Sequence, residues 1–180
     1  MVGVAALLTP LVIWSQRPPK AGSACEKGTA ECRDKSTGLV CGDDGKWALS
    51  ECAGPLGCRK TGTRVRCDFS PADDGATCAP HEERQAYCRA GGQSMAICLS
   101  GTIRHVPCRG PFACKDYGKD RPVCDMIQAK RGERCFLEKD GGSLACEVGG
   151  RAVLKCDGEK WSFVKACKLC SSNGNVLDCD

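Results

Sequence analysis

The heptapeptide CAGPLGC at residues 52–58 returns as CRGPFAC at residues 108–114. Each copy places a Gly-Pro pair between two cysteines, and both residues favour tight turns, since proline fixes φ and glycine tolerates conformations closed to other residues. A Cys-Asp pair follows each copy, at Cys67-Asp68 and Cys124-Asp125, and a third stands at Cys179-Asp180. Signals that return at a similar spacing predict an array of like units.

The 18 cysteines of the 180-residue chain fall into three sets of six. The sets define unit 1 (25–68), unit 2 (78–125) and unit 3 (135–180), with linkers at 69–77 and 126–134 and an apolar segment at 1–24. Six cysteines per set predict disulfides that close within each unit. The sets are Cys25, Cys32, Cys41, Cys52, Cys58, Cys67; Cys78, Cys88, Cys98, Cys108, Cys114, Cys124; and Cys135, Cys146, Cys156, Cys167, Cys170, Cys179.

Composition and turn signals together indicate the fold class. The hydrophobic content of 42% includes the cysteines, and only 5% of residues are aromatic, which argues against a single packed core. Short β-prone runs alternate with turn pairs such as Asp44-Gly45, Asp157-Gly158 and Asn173-Gly174, and these pairs are strong hairpin signals. We therefore predict a small, disulfide-rich, mostly β fold of three tandem six-cysteine modules built from short antiparallel hairpins.

The disulfide pairing is not fixed by sequence, because six cysteines allow many connectivities. A three-stranded meander followed by a hairpin would place the first and third cysteines near one end of the sheet and the second and fourth near the other. The fifth and sixth would then close the last hairpin. This reasoning favours the pairing 1–3, 2–4, 5–6 in each unit.

The N-terminal segment and the cysteines bear on the compartment. Val2 to Trp14 is almost entirely apolar, but as a helix it would reach only about 20 Å, short of the hydrocarbon core of about 30 Å. Its length is typical of a signal-peptide core, whereas Arg17 and Lys20 on its C-terminal side oppose export. A signal or a short anchor in contact with a membrane both remain open. Eighteen paired cysteines predict an oxidising compartment, either secreted, periplasmic or at the cell surface.

Charge and chemistry exclude several function classes. Basic and acidic residues are mixed along the chain, and the net charge is +4. The chain lacks the basic stripe and stacking aromatics of a nucleic-acid binder, so we expect no nucleic-acid partner.

Cys167 and Cys170 form a C-x-x-C, which is typical of redox or zinc sites. They fill the fourth and fifth positions of a set, however, which favours disulfides. His81 and His105 stand alone, without a partnered nucleophile. We expect no enzyme, cofactor or metal.

Two tryptophans occupy matching positions. Trp47 and Trp161 follow the hairpin turns of units 1 and 3, and Ile103 stands near the same place in unit 2. An exposed tryptophan at a repeated position could stack on a sugar ring or anchor a partner. Replacement by isoleucine favours the alternative, in which the residue forms the apolar centre of each unit.

The run CLSGTIRHVPCRGP at residues 98–111 and the closing VCD at 123–125 resemble part of the invertebrate chitin-binding, peritrophin-like module. The array also resembles tandem cysteine-rich segments of bacterial surface and secreted proteins. Both resemblances imply a location outside the cell, and the first implies glycan binding. The first covers under half of each unit, and neither assigns a binding residue.

These observations predict a non-enzymatic extracytoplasmic array with a structural, adhesive or protein-binding role, as a subunit of a surface or membrane-associated assembly. Its partner would be a protein or a surface polymer. A first alternative is a glycan-binding protein that uses Trp47 and Trp161. A second is a protease inhibitor that offers a rigid loop such as Arg109–Ala113 to a trypsin-like enzyme.

Overall fold

The computed structural model of the protein describes residues 19–62, 64–117, 121–136, 143–173 and 176–180. Strands dominate these residues, and their one helical element is a 3-10 turn at Pro80–Glu82. Nine disulfides join all 18 cysteines. The predicted fold class, small, disulfide-rich and mostly β, is therefore confirmed, and nine disulfides are typical of an oxidising, extracellular-type compartment.

Each unit contains a three-stranded antiparallel sheet in chain order and then a separate two-stranded hairpin. In unit 3 a short additional strand, β11, pairs in parallel with β12. In unit 1 the strands are β1 (Ala30–Asp34), β2 (Thr37–Cys41), β3 (Trp47–Glu51), β4 (Cys58–Thr61) and β5 (Arg64–Cys67); in unit 2 they are β6 (Ala86–Cys88), β7 (Ser94–Leu99), β8 (Thr102–Pro107), β9 (Cys114–Asp116) and β10 (Pro122–Cys124); in and before unit 3 they are β11 (Gln128–Ala129), β12 (Leu144–Glu147), β13 (Ala152–Cys156), β14 (Trp161–Ala166), β15 (Cys170–Asn173) and β16 (Val176–Cys179).

The disulfides follow one order in all three sets, 1–3, 2–5 and 4–6. The predicted 1–3 bridge is confirmed, and the predicted 2–4 and 5–6 bridges are wrong. In unit 1 the bridges are Cys25–Cys41, Cys32–Cys58 and Cys52–Cys67; in unit 2 they are Cys78–Cys98, Cys88–Cys114 and Cys108–Cys124; in unit 3 they are Cys135–Cys156, Cys146–Cys170 and Cys167–Cys179.

The physical reason for the error lies in the terminal hairpin. Its fifth and sixth cysteines face each other across the strands, as Cys58 and Cys67 do in unit 1. Backbone hydrogen bonds already close this hairpin, so the two sulfurs are free to join it to other parts of the unit. Cys58 bonds Cys32 on strand β1, and Cys67 bonds Cys52 after strand β3. The hairpin is thereby fastened to the sheet at two points.

Both stretches between the units pack onto the unit that follows them. Phe69 is buried beside Tyr87 and Ile103 of unit 2, with the two aromatic rings edge to face at 4.9 Å. Ala129 is buried beside Leu154 and Trp161 of unit 3. The stretches therefore contribute to the cores of units 2 and 3 rather than acting as free spacers.

The apolar segment from Val2 to Trp14 lies outside the described residues. Among the residues that are described, we find no helix with the length and apolar character needed to cross a membrane.

Candidate binding groove

The two tryptophans occupy equivalent backbone positions but different environments. The carbonyl oxygens of Trp47, Ile103 and Trp161 each accept a 2.8 Å hydrogen bond from the N–H of a glycine three residues before the first cysteine of the unit. Trp161 is only 2% exposed and packs in a core cluster with Leu154, whereas Trp47 is half-buried. The ring of Trp161 is a core group and offers no face to a sugar.

The C-x-x-C pair consists of two structural cysteines. Cys167 is bonded to Cys179 and Cys170 to Cys146, so neither sulfur is a thiolate for redox or metal chemistry. In unit 1 the sulfurs of Cys52, Cys58 and Cys67 lie within 4.8 Å of one another. These three also belong to disulfides, and their proximity reflects the fastening of the hairpin.

Both histidines are partly buried and contact other parts of the fold. The Nε2 atom of His105 lies 2.9 Å from the carbonyl oxygen of Ala72, and its Nδ1 lies 3.1 Å from Nη1 of Arg89. The ring thus connects the stretch before unit 2 to strand β8. His81 belongs to the 3-10 turn, where burial lowers its pKa and the neighbouring Glu82 opposes that shift. The Glu82 carboxylate accepts a hydrogen bond from the hydroxyl of Ser50 in unit 1 at 2.9 Å.

The loop Arg109–Ala113, predicted as a rigid loop for a trypsin-like enzyme, has a paired arginine and an exposed phenylalanine. The Arg109 guanidinium pairs with the Glu133 carboxylate, with Nε 2.6 Å from Oε2, and this contact lowers the pKa of Glu133. The Ala113 N–H donates to the Gly110 carbonyl at 2.9 Å, which closes a tight turn. Phe112, 60% exposed, projects from this turn, so its ring is more exposed than the paired Arg109 side chain.

Phe112 belongs to a groove between units 2 and 3 with a volume of about 840 Å³. Its rim carries four exposed apolar side chains, Phe112, Tyr117, Val123 and Leu144, and Tyr117 is 68% exposed. Met126 and Ile127, both half-buried, also line it. Exposed apolar surface gathered in one concavity is typical of interaction sites, whereas scattered apolar residues are ordinary. We refer to this feature as the apolar groove.

The Asp125 carboxylate fixes two parts of the apolar groove. It accepts hydrogen bonds from the N–H of Phe112 at 3.0 Å and of Ile127 at 3.2 Å. Gly110 makes the arrangement possible, because a Cβ atom there would lie 2.0 Å from Cγ of Asp125. The Gly-Pro turn and the Cys-Asp pair are separate signals in the sequence. In the structure they pack directly against each other, with the aspartate hydrogen-bonded to the turn.

The junction between units 1 and 2 shows that this surface is not a general consequence of the fold. Arg66 precedes the sixth cysteine there, where Val123 does in unit 2. Its Nε lies 3.4 Å from Oη of Tyr87, and its guanidinium lies 5.4 Å from the centre of that ring. Burial raises the pKa of Tyr87 while Arg66 opposes the rise. The position before the sixth cysteine is therefore charged in unit 1 and apolar in unit 2.

No direct signal in the sequence indicated the apolar groove, because Phe112 and Leu144 are distant in the chain and belong to different units. The change from polar to apolar residues is visible when matched positions are compared. Arg66 corresponds to Val123, and Thr61 corresponds to Tyr117.

Comparison of the chain with protein-family models, curated proteins and solved structures found no match.

Proposed function

We propose that the protein is a non-enzymatic extracytoplasmic array that binds a protein partner through the apolar groove. The observation that carries this proposal is the clustering of Phe112, Tyr117, Val123 and Leu144 around one concavity. Burial of these side chains against a partner would be favourable in proportion to the apolar area removed from water.

The groove is also suited to binding because covalent bonds and a hydrogen bond hold its unit 2 side in place. Disulfides Cys88–Cys114 and Cys108–Cys124 hold the unit 2 side, and the Asp125 carboxylate holds the backbone of Phe112. A site that orders little new chain on binding loses less conformational entropy.

The residues around the groove define the chemistry of the partner. Lys115 lies on the rim with its Nζ 5.4 Å from the centre of the Phe112 ring. The carboxylate of Asp125 is engaged by two backbone N–H groups. We therefore propose a peptide segment with apolar side chains for the groove and an acidic residue for Lys115.

The experiment selects ligands from a library of short random peptides displayed on phage, using the oxidised full-length protein as the target. Binding of the enriched peptides is measured by calorimetry with the parent, Phe112→Ser and Tyr117→Ser. We expect apolar sequences with an acidic residue, and an affinity loss of about tenfold or more in each variant, because central aromatic contacts dominate interface energies.

Phe163→Ser is the matched control, since Phe163 is an aromatic residue of unit 3 that is 48% exposed and lies outside the groove lining. It should leave the affinity unchanged. Selection of no apolar sequence, or an equal loss in the control, would contradict the proposal.

The two alternatives have weaker support. Glycan stacking on a pair of tryptophans would need an accessible ring at Trp161, which is buried, although Trp47 is half-buried. Inhibition of a trypsin-like protease would need an accessible Arg109, whose guanidinium is paired with Glu133. A secreted, periplasmic or cell-surface location, and membrane contact through Val2 to Trp14, are further parts of the proposal.

A further inference from the structure

A second cleft between units 2 and 3 is bordered by positively charged side chains. Its volume is about 500 Å³, which lies within the range typical of small-molecule sites. Arg84 and Arg104 of unit 2 and Lys160 of unit 3 line it. We propose that this feature, which we call the basic cleft, binds a small organic anion with a carboxylate, sulfate or phosphate group on an apolar body.

The guanidinium of Arg104 is a half-buried cation without a protein acceptor. Among the residues that the structure describes, the Arg104 side chain makes no hydrogen bond and no ion pair. Arg134 lines the same cleft, but its guanidinium is paired with Asp74. A guanidinium presents a planar fork of N–H donors that fits an oxyanion. Arg104 therefore has donors inside the cleft that are available to an anion.

Arg84 brings a second guanidinium to the same cleft. Its side chain is exposed, and its Cζ atom lies 5.5 Å from the centre of the Phe136 ring, which also lines the cleft. A contact of this kind uses the positive charge against the face of the ring and requires no hydrogen-bond acceptor. The N–H groups of Arg84 therefore remain available for an oxyanion.

The backbone of unit 2 adopts an unfavourable conformation in order to present Arg84. Arg84 has a φ of +63°, which residues other than glycine rarely adopt. The equivalent residue of unit 1 is Gly28, with a φ of +86°, and each stands four residues before the second cysteine of its unit. Strained backbone of this kind occurs mainly at functional sites, so an arginine in place of glycine supports a binding role.

The repeated fold does not require a cation at Arg104 either. Arg104 is paired in register with the residue before the third cysteine of unit 2. The residues in the same position are Ala48 in unit 1 and Ser162 in unit 3. Both lack a positive charge, so the charge of Arg104 belongs to unit 2 and to the cleft rather than to the repeat.

An apolar surface beside these cations favours an organic anion over an inorganic ion. Val106 lines the cleft and is 1% exposed, and the half-buried Leu99 and Phe136 pack against its cluster. An apolar body would cover this surface, and its burial would add to the binding energy. Among the described residues that line the cleft, Glu159 is the one carboxylate, so the cations outnumber it.

The experiment is an NMR titration of the oxidised, 15N-labelled full-length protein. The probes are phenyl phosphate, phenyl sulfate and benzoate, with phenol as the uncharged comparison. We expect the amide signals of Ser100, Arg104 and Phe136, which line the cleft, to shift with at least one anion. The tightest of the three identifies the preferred group. Phenol should bind at least about tenfold more weakly, because it offers no charge to the guanidinium groups.

Arg104→Gln should weaken binding of the preferred anion about tenfold, because it removes a charge-assisted hydrogen bond. Arg84→Gln, at an exposed position, should act in the same direction and covers the case in which Arg104→Gln fails to fold. Arg121→Gln is the matched control, since Arg121 is an exposed arginine outside the cleft lining, and it should retain the parent affinity.

Three results would overturn the proposal. The first is the absence of shifts at the cleft residues with all three anions. The second is binding of phenol as tight as that of the anions, which would show that the cations contribute nothing. The third is an equal loss of affinity in Arg121→Gln, which would show that binding depends on net charge alone.

Discussion

The carboxylate of Asp68 occupies the space that a side chain at position 54 would need. Asp68 is 1% exposed, and its oxygens accept hydrogen bonds from the N–H of Leu56 and of Ser70, both at 2.9 Å. A Cβ atom on Gly54 would lie 2.1 Å from Cγ of Asp68. The same arrangement joins Gly110 to Asp125 in unit 2, so a glycine is required at both turns.

Gly54→Ala should therefore lower the free energy of unfolding by about 1–3 kcal/mol, as overpacking of a tight site does. Guanidinium titration of the disulfide-intact protein measures it. Asp68→Ala should also destabilise, because it leaves two N–H groups without their acceptor. In Gly54→Ala/Asp68→Ala the clash is absent, so the double variant should lose less than the sum of the single losses. Additive losses would show that the two residues do not compete for space.

At the scale of strands and hairpins, the sequence predicted the elements better than their connections. Turn pairs such as Asp44-Gly45 separate the strands, and Gly45 has a φ of +70°, the conformation that glycine favours. Strand limits depend on such local signals. Disulfide pairing depends on where the hairpin lies against the sheet, which local signals do not specify, and the 2–5 and 4–6 bridges were missed for this reason.

The spacing of unit 3 has a local explanation as well. One more residue separates Trp161 from Cys167 than separates Trp47 from Cys52. The structure accommodates it as an irregularity in the pairing of β13 and β14, between Val153 and Leu154. An extra residue opposite a regular strand is the mark of a β-bulge. The residue count reveals the insertion, but only the register shows where it lies.

At the scale of the whole molecule, contacts distant in sequence join unit 2 and the stretch before it to the stretch 126–134. Arg109 of unit 2 pairs with Glu133, and Arg134 pairs with Asp74, which precedes unit 2. Glu133 and Arg134 belong to the stretch 126–134, which also contributes Met126 and Ile127 to the apolar groove. A site whose walls come from two units depends on how those units pack, so cysteine spacing and turn signals could not predict it.

The Asp74–Arg134 contact should make stability depend on pH. Hydrogen bonds from Arg134 and from the N–H of His105 lower the pKa of Asp74 to about 2. A carboxylate with a lowered pKa in the folded state stabilises the protein above its unfolded pKa, and the contribution is lost as the pH falls through the folded value. The melting temperature of the parent should therefore exceed that of Asp74→Asn at about pH 5, and the difference should shrink towards about pH 2. Asp73→Asn is the control, and a constant difference across this range would contradict the assignment.

A map of the disulfides tests the fold and the apolar groove together, because the bridges hold the turns and the unit 2 side of the groove in place. Proteolysis without reduction, followed by mass spectrometry of the linked peptides, identifies each pair. We expect nine bridges, all within their own set and all in the order 1–3, 2–5, 4–6. Bridges that close the terminal hairpins, such as Cys58 to Cys67, or bridges between different sets, would contradict it.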